Sequence, residues 1–215
     1  MIETDNLKLV YPDGTRKKTI FEGLTLRIND GERVVLVGPS GSGKSSLIYL
    51  LSLLKTPTAG RIYFDGRACA TAAERQDMRY GAFGFIFQQH YLIGYLTVLE
   101  NVTVAVKNAD ERTKARAREI LAQLGLADHI HKKPCQLSGG ERQRAAVARA
   151  LIKDPRVIFA DEPTASLDHD TGKTVMEMLK TAAAGRILIA ATHDVSLLDG
   201  GERVIRIADG TAAER

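Results

Sequence analysis

The sequence predicts an α/β fold with a mainly parallel core sheet, a small antiparallel β subdomain at its flank and an inserted helical subdomain. Three observations predict it. Five short apolar runs alternate with helical patterns. A second set of segments alternates apolar and polar residues around turns. A glycine-rich loop joins one apolar run directly to a helix.

The flanking sheet comes first along the chain. Ile2–Tyr11, Thr19–Ile28 and Gly60–Asp65 alternate, with turn residues at Pro12-Asp13-Gly14 and Asp30-Gly31, which is the pattern of antiparallel strands covered on one face. The core strands are Arg33–Val37, Gly84–Phe87, Val157–Ala160, Ile187–Ala191 and Val204–Ile207. Several are nearly continuous apolar runs, as strands covered on both faces require. Helical patterns begin at Ser45, Gly140 and Thr171, and strands alternating with helices imply a parallel sheet. Between about 89 and 136 the periodicity is helical at Ala115–Leu124, with one short strand-like run at Val102–Val106. This segment reads as the helical insertion. The 215 residues are read as one domain, large enough to bury a core without staples, and no repeat or low-complexity stretch interrupts them.

Composition narrows the class. A hydrophobic fraction of 44% and a charged fraction of 26% are those of a globular chain. The net charge of +4 is dispersed, too mild for strong binding to a phosphate backbone, and no nucleic-acid partner is expected. The densest basic stretch, Arg112 to Arg118 with Lys114 and Arg116 inside it, reads as a solvated helix face. Two cysteines, Cys69 and Cys135, make no disulfide framework and fit a reducing compartment. His129 and His131 lack further metal-type neighbours and read as ordinary surface histidines. The start of the chain lacks the apolar core of a signal peptide, and no apolar stretch approaches the ~20 residues that span a bilayer. Any membrane role would come by docking on other subunits.

The glycine-rich loop carries the first chemistry. Gly38, Pro39, Ser40, Gly41, Ser42, Gly43, Lys44 and Ser45 match the phosphate-loop pattern, entered by the apolar strand Val34–Val37 and left by an apolar helix over Ser46–Leu54. Glycines let the backbone fold into a nest of inward N–H groups, and the helix adds its positive end. Lys44 can reach the β- and γ-phosphates, and Ser45 can offer its hydroxyl to Mg²⁺. By itself the motif points to a bound nucleotide triphosphate and not to any one P-loop family.

A second half-site follows. Val157-Ile-Phe-Ala-Asp161-Glu162 is an apolar strand ending in two carboxylates. Asp161 is placed to hold the Mg²⁺ shell, and Glu162, turned the other way, to polarise an attacking water. His193 follows the strand Ile187–Ala191 and can contact the γ-phosphate or the water. Gln88 ends the strand Gly84–Phe87, where its amide can reach metal or water.

Leu137-Ser138-Gly139-Gly140-Glu141-Arg142-Gln143-Arg144 resembles the signature motif of ATP-binding-cassette ATPases. The other family motifs appear in order over essentially the whole chain. Tyr11 looks like the aromatic that stacks on adenine, Gln88 matches the glutamine loop, and Asp161 and Glu162 match the second Walker motif. Ala165-Ser166-Leu167-Asp168 matches the loop that communicates across the dimer, and Thr192-His193-Asp194 the histidine switch. Two positions depart from the pattern: Glu141 stands where many members have glutamine, and Gly94 where many have proline.

The resemblance implies an ATPase using ATP and Mg²⁺. It assigns Glu162, His193 and Gln88 to catalysis. It assigns Tyr11, the loop from Gly38 to Ser46, Ser138, Gly139, Gly140, Glu141 and Asp168 to nucleotide, and Ser45, Gln88 and Asp161 to metal. It implies a head-to-tail dimer of two copies enclosing two ATPs, docked through integral permease subunits on the cytoplasmic face of the membrane. Tyr95–Asn101, Asp161–Asp168 and Arg203–Gly210 look similar to the ATPases of lipoprotein-releasing and macrolide-export complexes. The chain stopping shortly after Gly210 fits that group as well as amino-acid importers and the division-associated ATPase, which moves no substrate. A soluble nucleic-acid machine is disfavoured by the lack of a coiled-coil insertion, a second cassette and zinc cysteines.

Overall fold

A computed structural model describes the chain apart from Thr15, Ser166, Val195, Leu197, Asp209 and Arg215 and the side chains of Asp13, Arg16 and Glu214. Ser166, expected in the dimer-communication loop, thus lies outside the described residues.

Strand β1 (Ile2–Asp13) pairs antiparallel with β2 (Arg16–Ile28) and with β4 (Ala59–Phe64), and β4 with the two-residue β5 (Arg67–Ala68). The order β2-β1-β4-β5 is the flanking sheet. The core sheet has six strands: β3 (Arg33–Val37), β6 (Phe83–Ile86), β7 (Val157–Asp161), β8 (Ile187–Ala191), β9 (Arg203–Ala208) and β10 (Thr211–Glu214). Their order is β10-β9-β3-β8-β7-β6, and only β10 runs antiparallel.

Helix α1 (Lys44–Leu51) follows β3, and α2 (Ala72–Gly81) precedes β6. Helices α3 (Val98–Thr103), α4 (Glu111–Gln123) and α5 (Gly139–Leu151) lie between β6 and β7, and α6 (His169–Ala182) lies between β7 and β8. Among the described residues no helix is long and apolar enough to cross a membrane.

Strand alternation decides which face each residue meets. Val157, Phe159, Ile187 and Ile189 pack with α1 and the flanking sheet in one buried cluster. Ile158, Ala160, Leu188 and Ala190 pack with α3 to α6 in a second. Phe83 meets Phe159 edge-on, with centroids 5.2 Å apart, at the centre of the first cluster.

Four expectations need correction. The run Val102–Val106 is not a strand. Its first two residues close α3, because Thr97 and Glu100 form a capping box and Val98, Leu99 and Val102 bury one helical face. Buried Asn101 fixes that turn by donating to the carbonyls of Ile93, Leu96 and Thr97 while accepting from the Ile93 N–H. The strand read as Gly84–Phe87 is Phe83–Ile86, so Gln88 stands in a bend beyond it. The helix after the phosphate loop stops at Leu51 rather than Leu54, since Leu53 turns left-handed at φ 59°. Helix α2 has no counterpart in the sequence reading: its mostly polar segment is started by the Thr71–Glu74 capping box. The Arg112–Arg118 run does lie on α4, with Arg112, Arg116 and Arg118 exposed.

Candidate active site

Parallel strands place their carboxyl ends along one edge, where ligands bind in open α/β sheets. Register makes this concrete. Leu36 and Asp161 both pair with Ala191, and Ala160 pairs with Ile86. The phosphate loop, Asp161-Glu162 and Thr192-His193 therefore emerge side by side from β3, β7 and β8. Gln88 lies past the end of β6 in an exposed bend.

Two of the loop's glycines are required by close contacts. A Cβ on Gly38 would stand 2.3 Å from the Ile207 carbonyl oxygen of β9. Gly43 has φ 107°, and a Cβ there would meet Ile20 and Phe21 at 2.8 and 2.9 Å. The ammonium of buried Lys44 donates to the carbonyls of Gly38 (2.9 Å) and Pro39 (3.2 Å), so the lysine folds back along its own loop. A groove of about 720 Å³ runs along the flank of the loop, lined by Lys18, Ile20, Pro39, Ser40, Gly41 and Arg206 among others.

Alternation turns Asp161 toward α1, in line with Val157 and Phe159. Ser45 Oγ donates to Asp161 Oδ1 at 2.8 Å. Burial pushes the Asp161 carboxyl above its usual range, and hydrogen bonding from Ser45 and Tyr49 offsets part of that rise. Burial also pushes the Tyr49 phenol up to about 12, with the charge of Asp161 adding to it. Tyr49 escaped the sequence reading. Its position four residues after Ser45, on the same helix face, is the signal that would have found it.

Glu162 adopts φ 47°, and its N–H donates to the Ala191 carbonyl at 3.0 Å, pinning the turn to β8. Its Oε2 lies 3.1 Å from His193 Nδ1. Tyr11 sits on β1 with its hydroxyl 3.5 Å from Ser46 Oγ and one ring face covered by the Lys55 ammonium at 4.7 Å.

A second group assembles elsewhere. Ser138 caps α5: its Oγ accepts from Glu141 N–H at 3.2 Å, and Glu141 Oε2 accepts from Ser138 N–H at 2.7 Å. These bonds hold the Glu141 carboxyl below its usual range. Gly139 and Gly140 open the helix, and a Cβ on Gly140 would meet Thr171 Cγ2 at 2.7 Å, so α5 begins tightly against α6. Asp168 caps α6 through Thr171 N–H at 3.0 Å, which lowers its own carboxyl. Among the described residues no hydrogen bond or ion pair joins this group to the phosphate-loop group.

Two side chains with structural roles here carried no sequence signal. Arg149 of α5 donates to the carbonyls of His90 and Tyr91, about sixty residues away in sequence, tying α5 to the segment after Gln88. His129, expected to be an ordinary surface residue, is about three-quarters buried with Nε2 3.3 Å from Glu141 Oε1.

A family profile described as ABC transporter matches residues 21–165. The chain belongs to the ABC transporter family. It is 40% identical to the lipoprotein-releasing system ATP-binding protein LolD of Syntrophotalea carbinolica, covering 98% of this chain and 96% of that one. It is 42% identical to the macrolide export ATP-binding/permease protein MacB of Chromobacterium violaceum over 97% of this chain, which spans 33% of that longer protein. Among solved structures, a dimeric ATP-binding cassette in a post-hydrolysis state with ADP and phosphate superposes with TM-score 0.91 at 36% identity, covering 100% of this chain and 98% of that one. This cassette is an ATPase subunit. Its phosphate loop, Asp161, Glu162 and His193 occupy one sheet edge, and among the described residues the start of α5 shares no hydrogen bond or ion pair with them.

Proposed function

We propose that two copies of this cassette close head to tail on two ATPs and that hydrolysis drives membrane permease subunits docked at the cytoplasmic face. The observation that carries this reading is the separation just described. The sheet edge supplies phosphate-loop amides, Lys44 and two carboxylates, and lacks the signature turn. The signature turn presents amides at a helix start. A second copy completes each half.

In this reading Gly38 to Ser46 cradle the phosphates with backbone N–H groups, and Lys44 leaves its own carbonyls for β- and γ-phosphate oxygens. Tyr11 offers adenine its aromatic ring. Ser45 Oγ and Asp161 Oδ1, two hard oxygen donors already 2.8 Å apart, suit Mg²⁺, which would offset charge between the phosphates. Gln88, in the bend after β6, is assigned to the same shell. Glu162 accepts a proton from the attacking water, and His193, 3.1 Å away, orients that carboxylate. Ser138, Gly139 and Gly140 of the other copy bind the γ-phosphate, with Glu141 and Asp168 shaping the contact. Loss of the γ-phosphate removes what bridges the copies, and they part. The residues from 89 to 136 form the helical subdomain that passes this motion to the permease. Likeness to lipoprotein-releasing and macrolide-export ATPases favours export or extraction of substrate.

Replacement Glu162→Gln tests the reading. The variant is expected to bind ATP, lose turnover and shift from monomer to dimer with Mg-ATP by light scattering. Hydrolysis at the unchanged rate would overturn the role of Glu162. A monomer with ATP bound would overturn the sandwich.

A further inference from the structure

The signature of this chain carries a carboxylate where it is proposed to meet an anion. Glu141 is the third residue of α5, ionised by its hydrogen bonds, at the helix end that attracts phosphate. One oxygen is committed: Oε2 accepts from Ser138 N–H at 2.7 Å. The other, Oε1, faces His129 Nε2 at 3.3 Å, and the two side chains are each about three-quarters buried, at 22% and 23% exposed. His129 closes the short 3₁₀ turn Ala127–His129 that follows α4 in the helical insertion.

The histidine's proton has one favourable place. Nδ1 is buried and has no hydrogen-bond partner, so an N–H there would be uncompensated. The proton therefore sits on Nε2, facing the carboxylate. We infer that His129 is a positioning residue for the signature turn: by engaging Oε1 it holds the Glu141 carboxylate in the cap it forms with Ser138, and so fixes the Ser138 backbone and hydroxyl in the geometry offered to the γ-phosphate. The hydroxyl's oxygen accepts from Glu141 N–H at 3.2 Å and the hydroxyl also bonds the Glu141 carboxylate, so where that carboxylate is held decides where the hydroxyl points. The charge of Lys132 also lowers the Glu141 carboxyl. The contact ties the turn after α4 to the start of α5.

This rests on the proposed sandwich, and the test separates the two. Titrate Mg-ATP against Glu162→Gln protein, with and without His129→Ala or His129→Arg, and follow dimerisation by light scattering. His129→Ala is expected to raise the ATP concentration for half-dimerisation roughly two- to fivefold, the low end of what one hydrogen bond to a charged group contributes at a partly exposed site. Monomer affinity for a fluorescent ATP analogue and melting temperature should stay in place, and His129→Arg should restore the midpoint. An unchanged midpoint overturns the inference, as does a loss shared by monomer affinity and melting temperature. If Glu162→Gln alone fails to dimerise, the sandwich falls, and amide exchange without nucleotide decides His129. Faster exchange at Ser138 and Glu141 in His129→Ala supports positioning, and unchanged exchange overturns it.

Discussion

Ser138 does two jobs that substitution can separate. As the cap of α5 its Oγ accepts from Glu141 N–H at 3.2 Å; as the proposed γ-phosphate ligand the same hydroxyl donates its hydrogen. Ser138→Ala removes both. Loss of the cap costs about 1 kcal/mol, which for a chain of this size lowers Tm by about 2–4 °C. Loss of a donor to a charged oxygen costs about 1.5–3 kcal/mol, or roughly 10- to 150-fold in turnover. Ser138→Asp keeps the cap and places a carboxylate against the phosphate. Ser138→Gly loses only a few tenths of a kcal/mol of capping and lacks the donor. Stability should therefore follow Ser ≈ Asp > Gly > Ala, whereas hydrolysis should fall in all three and furthest in Asp. Melting by circular dichroism and phosphate release with Mg-ATP give the two orders. Wild-type hydrolysis by Ser138→Asp would refute the anion-binding role, and activity that merely tracks stability would reduce Ser138 to a cap.

Further outcomes follow from the same geometry. Gly38→Ala must push a Cβ against the Ile207 carbonyl, 2.3 Å away, and should lose about 2–4 kcal/mol in urea unfolding together with ATP binding. Gly41→Ala, at φ 77° with open space around it, should lose only about 1–2 kcal/mol. Asp199 is held at about 2 by the Gly201 N–H and by Lys180, below the ordinary carboxyl value of 3.8. Because the folded value is the lower one, this stabilisation is present above pH 3.8 and is lost as pH falls toward 2, so Asp199→Asn should flatten the fall of Tm over that window. An unaltered acid profile would show that Asp199 contributes nothing there.

Much of the site was legible in linear form because each piece combines a strand end with a short polar tail. Val34–Val37 leads into the phosphate loop, Val157–Ala160 into Asp161-Glu162, and Ile187–Ala191 into His193. Apolar runs covered on both faces announce themselves, and the bounds of β3 and β8 fell where those runs did. Regions governed by capping rather than hydrophobic period were harder. α2 buries none of its side chains, and the β-branched run Val102–Val106 was read as strand because its helix is set by Thr97, outside the run.

By itself the sequence determined which residue types can bind a nucleotide and in what order, since motif spacing is a local property. Only the tertiary structure decided which of them meet. Ser45 and Asp161 are 116 residues apart and touch because β8 inserts between β3 and β7 with their carboxyl ends in register. Glu162 reaches His193 because its turn is pinned to β8. His129 reaches Glu141 because the turn after α4 packs beside the start of α5. Sheet order and helix packing are set by burial over the whole chain, and no window of sequence contains them.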